Sequence, residues 1–147
     1  MTHLCTGIIT KNNMKTIVIC GSMKLKDKMF EIEEKLKDLG FNVLVPNVGE
    51  TNDYSTMTET DQYEFKNRMI IDHLDKIRQG DAVLIVNEKL KDTDNYIGAN
   101  SFLEIGFAFS LGKKIFLLNN LPEQPNRVEI GGMLPVCLDG DVGAISI

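Results

Sequence analysis

The sequence predicts a doubly wound α/β fold of the flavodoxin-like kind, with about five parallel strands and helices on both faces. Three observations carry this. Short β-branched apolar runs recur along the chain, segments of helical period separate them, and turn residues punctuate the boundaries. Continuous apolar runs are what strands buried on both faces require.

The elements follow in order. Thr16-Ile17-Val18-Ile19-Cys20, closed by Gly21-Ser22, reads as the first strand. Leu25, Met29, Ile32, Leu36 and Leu39 then recur at steps of 4, 3, 4 and 3, one apolar helix face, and Gly40 ends it. Phe41 to Val45 reads as a second strand stopped by Pro46. The polar stretch from Asn47 to Glu59 has neither period and reads as a long loop, the kind that often serves as a lid. A helix is expected from about Thr60 to Gln79, with Ile70, Leu74 and Ile77 on one side. Ala82 to Val86 is the third strand, a second polar segment runs from Asn87 to Asn100, and Phe102 to Leu111 is a helix. Lys114 to Leu118 is the fourth strand, and a last short one is expected near Val136-Cys137-Leu138.

With 147 residues, 43% apolar and 25% charged, the chain reads as one globular domain over 14–147 behind a loose extension at 1–13. That extension lacks the apolar stretch of a secretory signal. No run approaches the roughly 18 apolar residues of a membrane helix. A net charge of −5 argues against nucleic acid as partner. Cys5, Cys20 and Cys137 form no C-x-x-C pair, so no zinc or redox motif is drawn, and Cys20 reads as a small core residue. The expected compartment is reducing and cytoplasmic, with no metal and no cofactor implied.

Ligands of such sheets bind beyond the carboxyl ends of the strands, where strand order reverses. Those ends carry Gly21-Ser22 and the two long polar segments, so the site is expected there. The first turn is not G-x-G-x-x-G, and no Walker loop occurs. Of the two histidines, His3 lies in the extension and His73 has no nucleophile suggested beside it, so a histidine triad is not expected. Carboxylates remain. Glu104 is embedded in an apolar helix, where an unpaired carboxylate costs several kcal/mol. Two readings are open: a site carboxylate, or a capping box with Ser101 three residues before it. Ser22 is by default a helix cap, although its turn also leaves N–H groups for a phosphate, with Lys24 or Lys26 near. Asp72, measured from its helix stripe, falls on the solvent side, and Asp94 is a loop acid. Tyr96 either stacks on a ligand or covers its loop.

The stretch IDHLDKIRQGDAVLIVNEKLKDTDNYIGANSFLEIGFAFSLGKKIFLL resembles the core of the nucleoside 2-deoxyribosyltransferase family. The matching features are an acid on a helix, D-x-V-L at the third strand, an acidic loop, E-x-G-x-A, and Gly-Lys before the fourth strand. IVICGSMK is similar to the first-strand signature of the related nucleoside 5'-monophosphate N-glycosidases. The likeness spans about residues 15 to 120. Met23-Lys24 stands where the family carries an aromatic residue, and Lys24-Leu25-Lys26 where the N-glycosidases carry an arginine and glycines.

The resemblance implies a glycosyl transfer or hydrolysis at the N-glycosidic bond of a (deoxy)nucleoside or its 5'-monophosphate. It implies Glu104 as nucleophile, Asp72 or Asp94 as the acid serving the base, and Gly21, Ser22, Met23, Asn47, Tyr96 and Ser101 as substrate-binding positions. It also implies close helix packing at Gly106, a homo-oligomer, and a small-molecule nucleoside or nucleotide as partner. Two alternatives are carried beside it: an NAD glycohydrolase resembling the TIR type, and a non-catalytic nucleotide-binding module.

Overall fold

The computed structural model describes residues 14–47 and 53–147. The expected extension over 1–13, with His3 and Cys5, and positions 48–52 of the long polar loop lie outside them.

Among the described residues, five strands alternate with four helices. They are β1 (Thr16–Cys20), α1 (Lys26–Asp38), β2 (Asn42–Leu44), α2 (Glu59–Gln79), β3 (Ala82–Ile85), α3 (Ala99–Ser110), β4 (Lys114–Leu117), α4 (Arg127–Gly132) and β5 (Val136–Cys137). All pairings are parallel and the sheet order is β2-β1-β3-β4-β5. This is the doubly wound order whose switch point falls between β1 and β3.

Alternation along the strands sorts the core into two layers. Ile17 and Ile19 of β1 pack with Ala82 and Leu84 of β3 against Met29, Ile32 and Leu36 of α1. Val18 and Cys20 point to the other face, with Val83 and Ile85, against Ile77 of α2 and Ile105 and Ala108 of α3. The two-residue period of a strand makes both layers from one apolar run. Each such side chain, fully buried, contributes roughly 1.5–3 kcal/mol.

The helix ends follow local chemistry. Gly40, at φ 94°, supplies the left-handed residue after α1. At the start of α2 the Thr58 hydroxyl accepts from Asp61 N at 3.2 Å, and Glu59 and Asp61 complement the helix dipole. Gly80 ends α2 where a Cβ would lie 2.5 Å from Val18 Cγ2, so the chain turns beneath β1 only because no side chain stands there.

Two departures from the sequence reading matter. Helix α3 begins at Ala99, three residues before the expected Phe102, because Phe102 N already bonds the Gly98 carbonyl at 2.9 Å. Helix α4 was not expected: Gly131-Gly132 reads as loop, yet Ile130 is fully buried against the second layer.

Two side chains brace the carboxyl edge. Buried Asn87, just past β3, donates to Asn120 O (2.9 Å) and accepts from Asn119 N (2.9 Å), while Asn119 returns a bond to Asn87 O (3.1 Å). Gln124 pairs with both backbone groups of Ile97, at 2.8 and 3.0 Å, and so holds the segment that leads into α3.

Candidate active site

An open cleft of about 760 Å³ lies at the switch point, within the range of small-molecule sites. Gly21, Ser22 and Met23 reach it from the end of β1, Pro46 and Asn47 from beyond β2. Phe65, Lys66, Met69, Ile70 and His73 line it from α2, and Gly98 to Ser101 and Glu104 from α3, with Lys91 and Tyr96 at one side. A smaller concavity of about 500 Å³, near Met14, Phe41 and Asn42, lies by the opposite ends of β1 and β2, where these folds do not place ligands.

Glu104 occupies the second turn of α3, and its side chain is only 16% exposed. The capping reading does not hold in this structure. Ser101 is the third residue of the helix, Gly98 takes the capping position, and no side chain caps this end. The carboxylate is instead directed toward α2 and β1. Its Oε2 is 3.6 Å from His73 Nε2, and that nitrogen is 3.4 Å from Cys20 Sγ.

These three groups set one another's protonation. Burial pushes Glu104 up to about 7, against smaller lowering effects of the Cys20 hydrogen bond and the Lys66 charge. Burial and then the Lys76 charge push His73 down to about 4, opposed by Asp72 and the Ile19 carbonyl. Burial, reinforced by Glu104, holds the Cys20 thiol well above its usual value. At neutral pH the imidazole is therefore uncharged, and its contact with Glu104 is polar rather than ionic.

The expectation that His73 has no nucleophile near it is thus corrected, while Cys20 is the buried core residue expected and also touches the imidazole. The two residues are 53 positions apart, so no spacing rule joins them. A partial signal was present: His73 lies three residues after Ile70 and four before Ile77, on the buried face of α2.

The other expected site residues divide. Gly21, Ser22, Met23, Asn47, Tyr96 and Ser101 all line the cleft. Ser22 caps the short 3-10 turn Met23–Leu25, accepting from Lys24 N at 3.4 Å. Tyr96 has its hydroxyl 3.3 Å from Lys91 Nζ, which also sits 5.3 Å from its ring centre, so it is held at the rim by a cation. Asp72 and Asp94 do not line the cleft. Asp72 is half-buried and paired at 3.0 Å with Lys76, whose Nζ also donates to Val45 O, and Asp94 is exposed. Gly106 makes no close packing either: a Cβ there would meet nothing within 4 Å.

No helix among the described residues is long and apolar enough to cross a membrane. No protein-family model matches the sequence, and no curated protein does. Among solved structures, a 2-desoxiribosyltransferase from Leishmania mexicana is 19% identical at a TM-score of 0.47, over 71% of this chain and 65% of that one. The 2-deoxyribosyltransferase from the psychrotolerant bacterium Bacillus psychrosaccharolyticus is 17% identical at a TM-score of 0.64, over 90% of this chain and 93% of that one. The likeness to that bacterial protein is one of fold, and in this chain the fold is a five-stranded parallel sheet with helices on both faces.

Proposed function

We propose that this chain cleaves or transfers at the N-glycosidic bond of a (deoxy)nucleoside or its 5'-monophosphate, with Glu104 as nucleophile. The observation that carries the reading is a nearly buried carboxylate, with no lysine or arginine in contact among the described residues, facing a nucleoside-sized cleft at the switch point. The fold shared with a 2-deoxyribosyltransferase and the sequence resemblance support it.

The chemistry follows from charge. As the bond to the base breaks, positive charge builds at C1' and the electron pair leaves with the base nitrogen. The Glu104 carboxylate attacks C1' and holds the sugar as an ester, as in retaining glycosidases. Water then releases the sugar, or a second base captures it and regenerates the carboxylate. Burial serves this step, because a poorly solvated carboxylate is a stronger base and nucleophile than one in water. His73 and the Cys20 thiol hold it in position.

Asp72 and Asp94 are left out of the assignment because neither faces the cleft. The departing base is instead set beside Tyr96 and Asn100, which line it. The Gly21-Ser22 turn at the end of β1, with Lys24 and Lys26 on the same cleft wall, suits a 5'-phosphate. The expected homo-oligomer is supported by exposed apolar side chains, Ile71 on α2 and Leu103 and Phe109 on α3.

Incubation with deoxynucleosides, deoxynucleoside 5'-monophosphates and NAD, followed by chromatography, tests the reading. Free base from either of the first two supports it. Nicotinamide release from NAD alone supports the TIR-type alternative, and binding of all three without turnover supports the non-catalytic one.

A further inference from the structure

The geometry points to a second use of these groups: Cys20, His73 and Glu104 form a three-ligand site for a thiophilic divalent cation, of which Zn²⁺ is the best match, with His73 and Glu104 on the cleft wall and Cys20 buried behind them. Cys20 Sγ, His73 Nε2 and a Glu104 oxygen all lie within 4.8 Å of one another. A tetrahedral zinc ion with ordinary bond lengths holds a sulfur and a nitrogen about 3.6 Å apart and a nitrogen and an oxygen about 3.4 Å apart. The corresponding distances are 3.4 and 3.6 Å. One soft sulfur, one imidazole and one carboxylate favour zinc or cobalt over magnesium or calcium, which take oxygen ligands.

The positions are held by the fold. Cys20 ends a central strand, paired there with Ile85 of β3, and His73 and Glu104 face each other from α2 and α3, which pack on one another. The tautomer required puts the proton on Nδ1 and the lone pair on Nε2, the nitrogen that faces Cys20 and Glu104. Binding forms three metal–ligand bonds and releases to solvent the Cys20 thiol proton and, wherever Glu104 is protonated, its carboxyl proton as well. Occupancy takes Glu104 away from a sugar. Zinc is therefore an inhibitor of the glycosidic reaction, a consequence that rests on the proposed function, while metal binding does not.

Cobalt titration of the chelator-stripped full chain, in a Cys5→Ser, Cys137→Ser background, tests this with Cys20 as the sole thiol. The expected result is one cobalt per chain, with thiolate-to-cobalt charge transfer in the near ultraviolet and the intense visible bands of tetrahedral cobalt. Zinc displaces it stoichiometrically. His73→Gln is expected to weaken binding by more than the roughly 10–100-fold carried by outer-shell partners. Lys66→Met, which removes a positive charge acting on Glu104, tightens it. A missing charge-transfer band overturns the site, as does equal affinity in a folded His73→Gln variant.

Base release assayed in parallel separates the two readings. A cobalt band in a protein that never releases base leaves the metal site standing and removes the glycosidic one. Base release unaffected by saturating zinc overturns the site at Glu104.

Discussion

Glu104 Oε2 stands 3.6 Å from His73 Nε2, and the contact joins two groups displaced by burial in opposite directions. The carboxyl holds its proton up to about 7, and the imidazole gives its own up by about 4. Between those values the pair is uncharged, which is how two titratable side chains share a nearly dry floor. Above pH 7 only the carboxylate is charged, in the form that attack on C1' requires.

This fixes two pH dependences, both for chelator-stripped protein. The rate of base release at low substrate rises with pH through about 7 and then levels, as Glu104 ionises. In stability the signs oppose. The folded Glu104 binds its proton more tightly than the usual 4.5, so unfolding becomes easier as pH rises from about 4.5 to 7. The folded His73 binds more weakly than the usual 6.5, so stability is gained from about 4 to 6.5. Denaturant titrations across pH 4–8 separate them: Glu104→Gln keeps only the rising limb and His73→Gln only the falling one. Each limb is at most on the order of 3 kcal/mol.

Asp72→Asn and Asp94→Asn are expected to change base release by less than about tenfold, since neither side chain faces the cleft. Loss of the half-buried Asp72–Lys76 pair costs about 1 kcal/mol or less. Steady-state kinetics of the two variants check this, and a loss as large as that of Glu104→Gln would return these acids to the mechanism.

Asn87→Ala removes the bonds that tie the ends of β3 and β4, leaving Asn119 N and Asn120 O without their partner. A destabilisation of about 2–4 kcal/mol is expected in denaturant unfolding.

Gly106→Ala is expected to stabilise the protein by up to about 1 kcal/mol, because helix propensity favours alanine and the added methyl meets no neighbour. Thermal melting checks it. A destabilised variant would mean that this face of α3 is covered by another chain in solution.

How much of this was legible in the sequence depends on range. The apolar runs of β1, β3 and β4 and the stripe of α1 are local signals, and the structure places these elements within a residue or two of where they read. The site region was legible from the strand ends alone. The start of α3 was not: Ala99-Asn100-Ser101 looks like loop, and the backbone bond from Phe102 to Gly98 decides it. That displacement turned Glu104 from a capping residue into a cleft residue. The Cys20–His73 contact and the Asn87 clamp join segments far apart in the chain, and their partners are chosen by packing that no single-sequence pattern contains.

The most direct test is turnover by Glu104→Gln, a near-isosteric change that removes the charge and keeps the shape. The expected outcome is a fall in base release on the order of 10³-fold or more, in a protein that melts at or above the wild-type temperature at pH 8. Base release within tenfold of wild type by that folded variant would contradict the assignment of Glu104 as nucleophile.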